Sequence, residues 1–162
     1  MLPKPGSPNA NYPLFAGLSC AGCALQEKGQ GFAPPSGLGH NDVMLLGEAL
    51  GEQEASQGVP FVGDAGFQLK CTLQRTKFNR DDFTITNTIC CRPPNNWLEG
   101  APWEYDALLH CDQYLKAVIQ AKKPKVIMPL GNTAMRSCLG RVGIMKLRGY
   151  VYEAVIHEHP CY

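Results

Sequence analysis

Val43-Met44-Leu45-Leu46-Gly47 is an unbroken apolar run closed by glycine. A short run of this kind, bounded by a turn residue, reads as a buried strand. Working outward, Ala65, Leu69 and Leu73 recur at helical spacing after Gly63-Asp64, which predicts a helix over 65–75. Segment 83–89 is rich in β-branched residues and reads as a second strand, stopped by Pro93-Pro94. Ala107, Leu108, Cys111, Leu115, Val118 and Ile119 make one apolar stripe behind Pro102, so a helix is expected over 103–121. After Pro124, segment 125–130 reads as a strand; Gly131-Asn132 opens a short helix that Gly140 can close. Segment 151–156 reads as a last strand. Strands alternating with helices imply an α/β fold in three layers, α/β/α, around a central, mainly parallel four-stranded sheet.

A chain of 162 residues is long enough for one domain and too short for two. The expected division is an extended N-terminal segment over 1–18 and a single domain over 19–162. Ligands in sheets of this type sit beyond the carboxyl ends of the strands. On this reading three loops leave from those ends: 47–51, 87–94 and 157–162.

No apolar run approaches the roughly 20 residues of a membrane span. The start, with a lone lysine and scattered prolines, is not a secretory signal. A cytoplasmic protein is therefore expected, and eight cysteines in a reducing compartment point to packing, metal or catalysis rather than disulfides. The net charge of +1 decides nothing, but its distribution is uneven. Residues 113–152 contain no acidic group and carry Lys116, Lys122, Lys123, Lys125, Arg136, Arg141, Lys146 and Arg148. Such a half can meet phosphates through counterion release, or be a solvated basic face.

Cys20-Ala-Gly-Cys23 is a two-residue knuckle that lets one turn present two thiolates. Cys91 lies between a strand and a proline pair, and Cys111 lies on the apolar side of the long helix. Four thiolates can hold zinc or an iron–sulfur cluster. Zinc ribbons usually pair two knuckles, whereas nineteen residues separate Cys91 from Cys111, which favours a cluster on separated elements. Cys90 is the rival of Cys91, because neighbouring strand residues face opposite sides. Cys71 and Cys138 fall on helices and read as packing residues; Cys161 is unassigned.

Gly47-Glu48-Ala49-Leu50-Gly51 and then Pro60-Phe61-Val62-Gly63-Asp64-Ala65-Gly66 resemble the first motif region of the family-four, iron–sulfur uracil-DNA glycosylases. Thr86-Asn87, Cys91-Arg92-Pro93-Pro94-Asn95, the strand and glycine of 125–131, Lys146-Leu147-Arg148-Gly149 and His159-Pro160 follow in the family's order. The resemblance implies removal of uracil from DNA by hydrolysis of the N-glycosidic bond, with a [4Fe–4S] cluster on Cys20, Cys23, Cys91 and Cys111. It implies Gly47, Ala49, Phe61 and Asn87 as substrate-binding residues, Phe61 stacking on the flipped base and Asn87 reading its edge. His159 would donate to the uracil O2 as charge develops there. Glu48 would orient water or satisfy backbone donors in its turn.

Two departures stand out. Leu50 replaces the family's proline, and the chain ends directly after His-Pro, where relatives continue through a wedge loop and a closing helix. The expectation is either a fragment of a longer polypeptide or a domain without its usual C-terminal end, and in this 162-residue form a preference for single-stranded DNA. An iron–sulfur DNA-binding or scaffold domain without turnover, as part of a phage replication protein, and a zinc-bound structural domain unrelated to DNA are the competing readings.

Overall fold

The structure, a computed structural model, describes residues 12–162. At its centre β1 (Val43–Gly47) pairs in parallel with β2 (Thr84–Asn87) on one side and β3 (Val126–Pro129) on the other. Successive side chains of a strand face opposite ways. Met44 and Leu46 pack into a core with Phe15, Leu25 and α3 (Glu104–Lys122), while Leu45 packs with Leu73 of α2 (Asp64–Arg75), Phe83 and Ile85. Helices therefore cover both faces of the sheet, and this is why the β1 run has no polar position.

The predicted stripe of α3 is the buried one. Ala107, Cys111, Leu115, Val118 and Ile119 are buried together with Tyr114, and Leu108 packs at their edge. Fully burying a side chain such as Ile119 contributes about 1.5–3 kcal/mol, so this one helix face is a large part of the core. Lys123 closes α3 in the left-handed conformation (φ 46°), and Pro124 prevents its continuation. After β3, α4 (Asn132–Leu139) ends at Gly140 (φ 64°), which supplies the positive φ without a Cβ.

The fourth strand differs from expectation. Only Ala154–Ile156 (β4) is extended, and it pairs antiparallel with β5 (His159–Cys161) in a separate two-stranded sheet. The turn between them uses His157 (φ 51°) and Glu158 (φ 65°), the left-handed pair that suits a two-residue hairpin. The physical reason lies in the alternation of the segment: Val151 and Val155 are exposed, so it never had two faces to bury. The parallel sheet has three strands, and the C-terminal hairpin meets it at Tyr162, whose N–H donates to Lys125 O (2.9 Å) and whose carbonyl accepts from Ile127 N (2.8 Å).

Two short helices, α1 (Glu52–Gln57) and α5 (Ile144–Leu147), were not anticipated, being too short to show apolar periodicity. Of the segment 1–18 expected to be extended, residues 1–11 lie outside the described part. Pro13–Phe15 form one 3₁₀ turn, and Phe15 is buried edge-on against Phe32 and Tyr114. Segment 30–36 runs antiparallel to the outer edge of β2 and the loop after it, through bridges Ser36–Ile85 and Gln30–Arg92.

Candidate active site and thiol cluster

The carboxyl ends of β1 and β2 bring Gly47 and Asn87 side by side in register. A cavity of ≈ 770 Å³ opens there, and Ala49, Phe61, Asp64, Asn87 and Asn96 are among its lining residues. Gly47 is the meeting point. A Cβ at this position would lie 2.3 Å from Asn87 Oδ1 and 2.5 Å from Phe61 Cζ, so only glycine lets the amide and the ring converge. Asn87 is 5 % exposed, yet among the described residues no group hydrogen-bonds its amide. The amide atoms are not fully enclosed but stand open on the cavity wall, where a ligand can take up their donor and acceptor.

The loop that carries Phe61 is tied down by a carboxylate that the sequence reading missed. Glu54, third residue of α1, is buried; its Oε2 accepts from Gly51 N (3.1 Å) and its Oε1 from Val62 N (3.0 Å) and Gly63 N (2.7 Å). The three-residue spacing from Gly51 is a readable helix-start signal. Glu48 does not line the cavity; its Oε2 accepts a hydrogen bond from the buried Thr133 hydroxyl (2.7 Å) in the first turn of α4. Leu50 is buried against Ala33 and Ala55, and its N–H donates to Cys91 O (3.3 Å). A proline there could not make that bond, so the departure ties the motif turn to the cysteine loop.

Cys91 and Cys111 lie in the main core, and Cys20 and Cys23 pack against it. Cys91 and Cys111 are buried, Cys20 and Cys23 half-buried, and none is in a disulfide. Burial first, then the nearby Cys111, Asp106 and Cys20, pushes the Cys23 thiol up to about 11. Burial and the proximity of Cys111, Cys23 and Cys20 likewise hold Cys91 well above the usual thiol range. Cys90 lies close to Cys111, Cys91 and Cys20 as well, and these neighbours together with burial raise its thiol too. The knuckle is fixed by Cys23 N donating to Cys20 O (3.1 Å) and by Ala24 N donating to Asp106 Oδ2 (2.5 Å). Cys23, Asp106 and His110 have ligand-capable atoms within 4.8 Å of one another; among the described residues the four cysteines do not gather that tightly. Cys138 packs beside the main core, where burial pushes its thiol up to about 12.

His159 is not brought to this site. Its Nε2 lies 2.8 Å from the carbonyl of Pro124, just before β3, at the amino end of the sheet. Gly47 is at the other end, four residues along β1 from the Val43–Val126 pair, or more than about 13 Å away at strand rise. The expectation that 157–162 leaves a carboxyl end therefore fails, because this segment is a hairpin turn and its returning strand. His157 lies in the turn with Nε2 3.1 Å from Asp112 Oδ1, so the two histidines do not share a strand face. Of the basic run, Arg136 pairs with Glu104 and Lys125 with Asp42. Among the described residues no helix is long and apolar enough to cross a membrane.

Comparison with known proteins bears on this geometry. The model of the uracil DNA glycosylase superfamily matches residues 34–162. The type-4 uracil-DNA glycosylase of Archaeoglobus fulgidus is 35% identical over 141 residues, covering 84% of this chain and 69% of that protein. That of Sulfurisphaera tokodaii is 35% identical over 141 residues, covering 83% of this chain and 62% of the relative. That of Thermotoga maritima is 36% identical over 132 residues, covering 80% and 67%. The chain thus spans about two thirds of the length of these relatives. With a match over most of its length and a glycine-floored pocket where the motifs converge, the chain belongs to the uracil-DNA glycosylase superfamily, among its type-4 members.

Proposed function

We propose that this chain removes uracil from DNA by hydrolysing the N-glycosidic bond. The carrying observation is the unpartnered Asn87 amide, set beside the Phe61 ring across a glycine floor. A base turned out of the strand would stack on Phe61 and present its Watson–Crick edge to the amide. The amide supplies both a donor and an acceptor, matching uracil's alternating carbonyl and N–H groups and mismatching the amine of cytosine. Ala49 keeps the loop backbone close to the ligand. Glu48, held by the Thr133 hydroxyl outside the cavity lining, would orient water or steady the turn that carries Ala49. His159 drops out of the catalytic set because of its place at the opposite end of the sheet.

Cys20, Cys23, Cys91 and Cys111 would hold a [4Fe–4S] cluster. The soft, all-sulfur donor set fits. Their placement on three separate elements, the knuckle, the loop after β2 and α3, supports a cluster over zinc, whose ribbons usually pair two knuckles. When bound, the cluster supplies a cross-link between the N-terminal knuckle, the loop after β2 and α3. A set of free thiols suits a reducing compartment, the cytoplasm. Uracil release from single- and double-stranded oligonucleotides by the brown, anaerobically purified protein tests the reading. Release with about four irons per chain supports it; cluster and DNA binding without release would make the domain a scaffold; a colourless protein with one zinc would contradict the cluster.

A further inference from the structure

We infer that Arg80 is a positioning residue for the base-stacking ring, acting through the backbone of Phe61; this rests on the reading of Phe61 as the stacking face. Phe61 has φ of 55°, a conformation that side-chain-bearing residues adopt only where their surroundings impose it. Glu54 grips the downstream side of this residue through Val62 N and Gly63 N. The upstream side is gripped from a different part of the chain. Arg80 Nη2 donates to Pro60 O (2.6 Å) and Nη1 to Phe61 O (3.2 Å). Three successive peptide units, 60–61, 61–62 and 62–63, are thus clamped by a guanidinium on their carbonyls and a carboxylate on their N–H groups.

Arg80 is itself anchored to the sheet. It lies in the 3₁₀ turn Arg80–Asp82, whose Asp81 N–H is capped by Asn79, directly before β2. Its Nη2 also reaches Ser36 Oγ (3.4 Å), and Ser36 is bonded through its backbone in both directions to Ile85. The clamp therefore refers the position of Phe61 to the same strand, β2, that carries Asn87. Gly66 closes the remaining direction, since a Cβ there would lie 2.0 Å from Phe61 O. Two carbonyls taken by one planar fork require arginine; a lysine, with a single nitrogen, cannot span both in the same geometry.

The test uses Arg80→Met, Arg80→Lys, Phe61→Ala and the double variant Phe61→Ala/Arg80→Met, with steady-state uracil release from a single-stranded oligonucleotide and amide hydrogen exchange over 58–66. Losing a well-placed stacking face removes binding made equally in ground and transition states. Arg80→Met should therefore raise KM on the order of 10-fold with kcat little changed. Arg80→Lys should recover only part of this. In the Phe61→Ala background, Arg80→Met should add nothing to KM, because the ring it positions is gone. An unchanged KM in Arg80→Met, or an equal rise in both backgrounds, would overturn the inference. If the parent releases no uracil, the functional reading fails separately. Exchange then decides: faster exchange confined to 58–66 in Arg80→Met supports the clamp, and unchanged or globally faster exchange contradicts it. Should Arg80→Met not fold, Arg80→Lys is read by the same two measurements.

Discussion

Adding one methyl group at Gly47 is the sharpest perturbation of the pocket. The Cβ of Gly47→Ala would stand 2.3 Å from Asn87 Oδ1 and 2.5 and 2.7 Å from two ring carbons of Phe61. Favourable carbon contacts begin at about 3.5 Å, so the ring must withdraw by about 1 Å and the amide by a similar distance. The ring has little room to do so, since Gly66 lies so near that even a Cβ would stand 2.0 Å from the Phe61 carbonyl oxygen, and Glu54 holds the following two N–H groups. Overpacking of this kind costs about 1–3 kcal/mol of stability. Displacing reacting groups by about 1 Å costs on the order of 100-fold in rate, equivalent to about 2.7 kcal/mol of transition-state stabilisation. Single-turnover uracil release, run beside a urea melt to confirm folding, measures both effects. A folded Gly47→Ala protein with the parental rate would refute the proposal that uracil sits between this ring and this amide.

The remaining predictions concern the cluster, the displaced histidine and a part-buried ion pair. Cys91→Ser should lose iron and the visible absorption, whereas Cys90→Ser should keep both; iron analysis of the two variants decides between the neighbouring thiols. His159→Ala should release uracil at the parental single-turnover rate, and a large loss would mean that the segment reaches the pocket after all. Burial alone would push the Glu104 carboxyl up, but the Arg136 guanidinium and the Gly100 N–H hold it below the usual glutamate range. A carboxyl depressed in the folded state contributes stability that is present above its unfolded pKa and fades as pH falls through the folded one. Glu104→Gln should accordingly flatten the loss of stability below about pH 4.3, as read from urea midpoints across acid pH.

The sequence was most legible where the residues of an element repeat a local pattern. The β1 run, the α3 stripe and the Gly140 stop each state their structure within a few residues, and each is found as expected. The motifs placed Gly47, Phe61 and Asn87 together because their order along the chain maps onto strand ends that a parallel sheet brings side by side. The hairpin of β4 and β5 was invisible for a specific reason. Its turn is His157-Glu158, which carries none of the glycine or asparagine that usually announces left-handed backbone. Without that signal His159 looked like the end of a parallel strand, and its position was inverted. Arg80, Thr133 and the pocket-side bonds of Glu54 were missed because their partners are distant in sequence. Arg80 finds its backbone partners about twenty residues earlier, and Thr133 its carboxylate 85 residues earlier. No local periodicity encodes such contacts.

The central claim is that the Asn87 amide reads the edge of an extruded uracil. Single-turnover assays of the parent and of Asn87→Asp, on matched oligonucleotides carrying uracil or cytosine, test it most directly. The account predicts release of uracil but not cytosine by the parent, and for Asn87→Asp a reduced preference for uracil, because a carboxylate replaces the donor face of the amide. A parent that releases uracil and an Asn87→Asp variant with the same rate and the same discrimination would contradict the account.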